Sequence, residues 1–460
     1  MKTTAVTIVV VCLGLHVQWS TAQEPAVAAP VVGVFSQHRL KVVKNPAVLA
    51  TNEDIDEILR SISRSAQRAN YGWDKPCSVE FVREAEVIND GRLPIRGSAR
   101  QHQEALSRVQ PDANVLLVLS IEDCAGWQAA GCAPLGSDKM AVTADFSSRG
   151  EIVWLHERGH VVGRDHVAQG SSVSQASDIE KTDVMFWNPS KMSTAISEET
   201  CKAMRNARLP SVRGVSSPSF LVVGDQLTTV AGQELRDMPE YLRELLESAW
   251  LERPPLEAIS KLTDRDLDII RNLLRAEPSD LWVNALRILE MLGAEQDATL
   301  LARPLGFPVS SIPSEPDRST RLKTNLLRSL ALQSTSSLGQ LAKRTQSLEA
   351  IFLLRMVAHT TVAAKSVGQE FSTELARSAV QSLARTGHEL ALPIVLSAVR
   401  GARGDFPAVV SSGRTVRPDP LPGPLLDDVP AFDDDESKDL LTDWTGAQAA
   451  QSNIILRRNK

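Results

Sequence analysis

Eleven residues, HERGHVVGRDH at 156–166, constrain this chain more than anything else in it. His156 and His160 stand four apart, so a helix brings them onto one face. A zinc ion needs neutral imidazoles converging at about 2.0–2.1 Å, and one rigid element supplies two of them. Glu157 lies at the rim of that face, where it can take a proton from an activated water. Gly163 is expected to end the helix in a left-handed conformation. His166 then returns as the third ligand. Three protein ligands leave a fourth position open, which is the arrangement of a catalytic site rather than a structural one. Ile152, Leu155, Gly159 and Val162 recur at helical spacing beside the histidines and give the helix a stripe to pack by. A bare HExxH also occurs on ordinary helices with satisfied histidines; Gly163 and His166 set this stretch apart from those.

With those residues in place, HExxHxxGxxH resembles the zinc signature of the metzincin metalloendopeptidases. Such enzymes carry a methionine turn beneath the metal. Asp183-Val184-Met185-Phe186-Trp187-Asn188-Pro189 is similar to it, with Met185 as the floor. A buried apolar turn is the plainer use of a methionine there. Val167 follows the third histidine and no tyrosine stands in the turn, so no subfamily is assigned. The resemblance covers residues 31–210 and is sharp over 151–190. It implies one catalytic zinc on His156, His160 and His166, with Glu157 as general base and Gly163 and Met185 in support. It implies an α/β (α+β) catalytic domain with a twisted mixed sheet and an active-site helix. It also implies that the sheet edge within residues 126–136, GWQAAGCAPLG, borders the cleft and takes extended substrate by strand addition. A disulfide-stapled surface loop is the alternative for that stretch. Residues 187–192 are the local candidate for the wall of the primed-side pocket.

The chain opens with an export signal over residues 1–22: Lys2, an apolar run over 6–15, then Ser20, Thr21 and Ala22 before a cut. The run is short for a membrane span, and no other stretch is apolar enough for one. A secreted or periplasmic protein without a membrane span is expected. So few residues separate Ala22 from the first strand that no sizeable propeptide is expected. Beyond Cys12, four cysteines remain, Cys77, Cys124, Cys132 and Cys201, and they allow three pairings. Export permits disulfides. Cys124 and Cys132 flank a short glycine-containing loop and are the first choice, which leaves Cys77 for Cys201; buried free thiols are the alternative. The formal charge of −6 gives nucleic acid nothing to recruit.

A length of 460 residues calls for two or more domains. In the first, over 31–210, residues 38–44 read as a strand. Thr51 caps a helix with Asp54 as its partner, and Ile55, Ile58, Leu59, Ile62 and Ala66 give that helix one apolar face. Residues 78–83, 115–121 and 140–146 read as further strands, the second of them central and buried. Helices are expected against one face of the sheet. Ser197 caps a helix that carries Cys201.

After a linker over 211–233, an all-α domain is expected over 234–400. Helical patterns fall at 234–250, 267–274, 281–292, 322–330, 348–357, 371–383 and 390–399, with an interruption at 304–316. The stretches LWVNALRILEMLG and ELARSAVQSLARTG are faintly alike, which suggests HEAT-like stacking; a plain helical bundle is the alternative. Residues 401–460 are expected to be irregular, because prolines crowd 418–424. The acidic run 433–436 lacks calcium-loop spacing and reads as solvated.

The expectation is therefore an exported zinc endopeptidase acting on a protein or peptide substrate, with a helical domain that is the candidate seat of a protein partner. Every candidate catalytic group precedes residue 225, so the first domain has the means to act alone. Two alternatives remain at this stage: a binding or scaffold protein that works through its helical domain, and a zinc hydrolase of a non-peptide amide. An intact Glu157 argues against the first, since holding a metal needs only the histidines.

Overall fold

The computed structural model of the protein describes residues 35–67, 77–124, 127–146, 148–168, 176–177, 180, 182–186, 193, 195–207, 213–214, 238–248, 250, 254–307, 315–400, 409–411, 414–416 and 429–458. The expected export signal, Gly126, residues 187–192, all of the expected linker except 213–214 and the prolines over 418–424 lie outside the described residues.

The first half is a mixed sheet between helices. Its strands are β1 (Phe35–Leu40), β2 (Val42–Lys44), β3 (Val79–Arg83), β4 (Ile88–Asn89), β5 (Arg96–Ser98), β6 (Val115–Val118), β7 (Ser120–Cys124), β8 (Trp127–Ala129), β9 (Gly131–Cys132), β10 (Met140–Thr143) and β11 (Arg213–Gly214). Its helices are α1 (Asn52–Gln67), α2 (Ala99–Val109), α3 (Ser148–Val161) and α4 (Glu198–Asn206). A five-stranded sheet runs β4-β2-β6-β10-β9, parallel except for β9, which closes one edge antiparallel. Two three-stranded sheets, β11-β1-β3 and β5-β7-β8, accompany it.

Three expectations change here. The strand read over 38–44 is interrupted at Lys41, and β1 and β2 belong to different sheets. The strand read over 115–121 is broken at Leu119, whose amide donates to the Ile95 carbonyl at 2.8 Å, so β6 and β7 belong to different sheets. Helices also cover both faces of the sheet, not one. Val115 and Leu117 of β6 join a core with Ile55 and Ile58 of α1 and Trp154 of α3. Leu116 and Val118 join a second core with Leu106 of α2, Cys124 and Cys132. A strand that is apolar at every position has no face to give to water. The Thr51–Asp54 cap forms as expected: Thr51 N and Oγ1 both donate to Asp54 Oδ2, at 2.9 Å.

The second half is helical. It comprises α5 (Glu240–Glu247), α6 (Leu256–Ser260), α7 (Asp264–Leu273), α8 (Trp282–Leu292), α9 (Ala298–Leu301), α10 (Arg318–Thr345), α11 (Leu348–Val357), α12 (Thr360–Val367), α13 (Gln369–Thr386), α14 (Leu392–Arg400) and α15 (Asp434–Arg458), with a short hairpin of β12 (Val409–Ser411) and β13 (Arg414–Val416). The long α10 packs against α8, α11 and α13, and α13 against α12, α14 and α15. The pattern read over 322–330 lies in the first half of this 28-residue helix. Its continuation looks polar, but the hydroxyls are buried and satisfied: Thr335 Oγ1 meets Ser378 Oγ at 2.7 Å and Ser337 Oγ donates to Glu290 at 2.9 Å. The expectation of an irregular tail over 401–460 is likewise corrected, because α15 fills much of it. The acidic run begins that helix: Asp433 Oδ1 accepts the Glu436 amide at 2.9 Å, and Arg377 pairs with Glu436. Trp444 of α15 is buried. No helix among the described residues is long and apolar enough to cross a membrane.

The two halves share one core. A single apolar cluster runs from Val115 and Trp154 through Trp282, Leu330 and Leu375. Polar contacts cross the same boundary. Asn325 exchanges two hydrogen bonds with the Leu49 backbone, at 3.0 and 2.7 Å. Arg321 grips both oxygens of the buried Asp54 at 2.9 Å. Arg328 donates to the Ala47 carbonyl and Ser329 to that of Leu119. Arg96 of β5 lies among Glu122, Glu374 and Gln381.

Candidate metal centre

Helix α3 carries the first two histidines. Its expected apolar stripe is not a simple divide, since His156, Glu157, Arg158 and His160 are as buried as Ile152 and Leu155. The helix ends as its glycine requires. Gly163 has φ +84°, its amide donates to the His160 carbonyl at 2.9 Å, and the Arg164 amide donates to that of Gly159 at 2.9 Å. This pair of bonds is the Schellman arrangement, which reverses the chain and satisfies the last carbonyls. His166 returns on the reversed segment and is partly exposed.

The three Nε2 atoms converge, 3.0 Å apart for His156 and His160 and 3.1 Å for each with His166. Their outer nitrogens explain what faces inward. His156 Nδ1 lies 2.7 Å from the Val184 carbonyl, and His160 Nδ1 lies 2.8 Å from the Arg164 carbonyl. A carbonyl only accepts, so each Nδ1 must carry the proton. The Nε2 atoms of these two neutral rings are then lone pairs facing each other with no hydrogen between them. Such a contact is repulsive until a cation sits among the nitrogens. Burial, with the neighbouring imidazoles, holds His156 well below the usual histidine range, and burial also lowers His160. Neutral imidazoles with backbone-fixed tautomers are the form a metal ligand takes. Among the described residues, His156, His160 and His166 form the group whose ligand atoms converge this way. The donor set fits a metal ion.

Met185 lies beneath, fully buried. A Cβ at Gly159 would sit 2.0 Å from its sulfur, so the glycine lets the helix rest on the methionine. The turn does more than fill space. The Val184 carbonyl holds His156, and the Met185 carbonyl accepts the Val167 amide at 2.8 Å, one residue beyond His166. Asp183 Oδ1 in turn accepts the Met185 amide at 2.8 Å.

Glu157, which follows His156 in the sequence, is buried. A Cβ at Gly131 would lie 2.6 Å from its Cγ and 2.7 Å from Oε1, so the backbone of edge strand β9 backs directly onto this side chain. Residues 126–136 thus include the strand bordering Glu157. Cysteine pairs Cys124–Cys132 and Cys77–Cys201 are at bonding distance, with S–S 2.01 and 2.17 Å. Sequence reasoning missed three parts of this site: the gripping carbonyls of Val184 and Arg164, the Gly131 contact, and the seat that Gly159 provides. A glycine at mid-helix was the one visible signal among them. No protein-family model matches this chain, and no curated protein matches it.

Proposed function

We propose that this protein is an exported zinc-dependent endopeptidase of metzincin-like type. The observation that carries the reading is the convergence of the His156, His160 and His166 Nε2 atoms, with Glu157 adjoining them in sequence. His156, His160 and His166 would hold a zinc ion, which would supply Lewis acidity for a scissile carbonyl and a water. Glu157 takes the water's proton on its carboxylate as the oxygen bonds to the carbonyl carbon. It then gives that proton to the leaving nitrogen as the C–N bond breaks. The β9 edge offers extended peptide a backbone to pair with. The two cysteine pairs and the N-terminal apolar run support export.

The test is Glu157→Gln, compared with wild type at matched zinc content on a quenched peptide library. Glutamine keeps the shape but cannot accept the proton, so zinc and fold should be retained and the rate should fall by about 10²–10⁴-fold. Equal rates would remove Glu157 as base. A wild type inert towards peptides but active on other amides would favour the amidase alternative. Inertness towards both would favour a binding protein.

A further inference from the structure

The helical half reaches the rim of the site through one buried cation. Arg287 of α8 is buried, and its Nη2 donates to the Gln128 carbonyl of β8 at 2.8 Å. Its Nη1 donates to the Trp250 carbonyl at 3.4 Å, and its guanidinium lies 5.8 Å from the centre of the Trp250 ring. Burial, with Arg149 nearby, pushes Arg287 down to about 9. Keeping a cation in such a place is costly unless its hydrogen bonds matter to the fold.

What it holds is the strip that backs Glu157. Two residues separate Gln128 from Gly131, whose backbone touches the Glu157 side chain. The strip is pinned on its other sides. Ala129 pairs with Ile121, Cys124 is bonded to Cys132, the Ala130 carbonyl accepts the Thr143 amide at 2.8 Å, and Gly131 pairs with Val142. Arg287 supplies a restraint from the helical half.

We infer that Arg287 is a positioning residue for the site: from the helical half it fixes β8, hence β9, and so the wall that aims the Glu157 carboxylate. The inference rests on Glu157 as the base. It gives the helical half a part in the chemistry without any residue of that half touching substrate.

The experiment uses the full-length protein. Arg287→Met keeps bulk and removes the donors, Arg287→Lys keeps a donor, and Arg328→Met is the matched control. Arg328 is also a buried cation of the helical half donating to a backbone carbonyl, that of Ala47, at 2.8 Å. Hydrogen exchange at residues 129–133 is measured on metal-free protein, and kcat, KM and zinc content on the loaded form. Arg287→Met should raise exchange over 129–133 and lower kcat by about 10- to 100-fold, with KM and zinc little changed. Arg287→Lys should fall between it and wild type. Arg328→Met should leave both the exchange of this strip and kcat unchanged. Unaltered exchange in Arg287→Met, or equal effects from Met at 287 and 328, would overturn the inference. If Arg287→Met does not fold, Arg287→Lys decides it, and wild-type exchange and kcat there would overturn it. A wild type inert towards peptides would end the endopeptidase reading, while the exchange arm still decides whether Arg287 holds the strip.

Discussion

Gly159 stands one residue before the second histidine, and the space above it is taken by the Met185 thioether. Met185 is fully buried, so an added methyl must push it, and with it the turn whose carbonyls hold His156 and the segment after His166. Gly159→Ala should therefore weaken zinc binding by about 10- to 100-fold, as loss of a ligand's outer support usually does. Competition with a chromogenic chelator measures it, and unchanged affinity in a folded variant would show that the methionine yields freely. The three histidines of the candidate site were legible in the sequence, because their spacing is what brings them together. Their supports were not. The groups that hold His156 and His160 are main-chain carbonyls, and every residue type has one.

At the scale of elements, α3 is braced from behind by a relay of side chains. Arg158 Nη2 lies 3.1 Å from His38 Nδ1, and His38 Nε2 lies 2.8 Å from the Met204 carbonyl on α4. The relay joins α3, β1 and α4, and needs His38 neutral, accepting from Arg158 and donating to Met204. Burial, then the Arg158 charge, lowers His38 from 6.5 to about 4. Above pH 6.5 the ring is neutral in both folded and unfolded chains. Between about 6.5 and 4 only the unfolded chain takes up the proton, so stability falls as the pH drops through that window, by about 3 kcal/mol in full. His38→Asn should be less stable at pH 7 and should lose less on acidification. Urea midpoints of metal-free wild type and variant from pH 7 to 4.5 measure this, and parallel slopes would contradict it. Helix α1 and its Thr51 cap were legible from period and capping chemistry. Of the long α10 only 322–330 was legible, because the serines and threonines that follow, bonded inside the helical half, break the apolar period.

For the whole molecule, the sequence suggested two domains joined by a linker, and the structure has two halves on one core. The faint likeness of the α8 and α13 segments has a local reason, since both pack on α10. The first half carries all the candidate chemistry, yet cutting the chain near residue 225 would bare the core cluster and leave Asp54 without its Arg321 partner. Such a fragment should not unfold cooperatively, and the full chain should show one calorimetric transition. Two separate transitions, or a fragment that keeps zinc and melts sharply, would show that the halves are independent. Four of the contacts between the halves are lopsided in what they ask of heredity. Arg287, Asn325, Arg328 and Ser329 reach across to carbonyls at Gln128, Leu49, Ala47 and Leu119. Substitution at those four receiving positions leaves each carbonyl in place wherever the chain path holds, whereas substitution on the helical side deletes the reaching group. At those four contacts fidelity is thus written in the second half of the gene, whereas Asp54 with Arg321 and Arg96 with Glu374 tie the seam to a particular side chain on both sides.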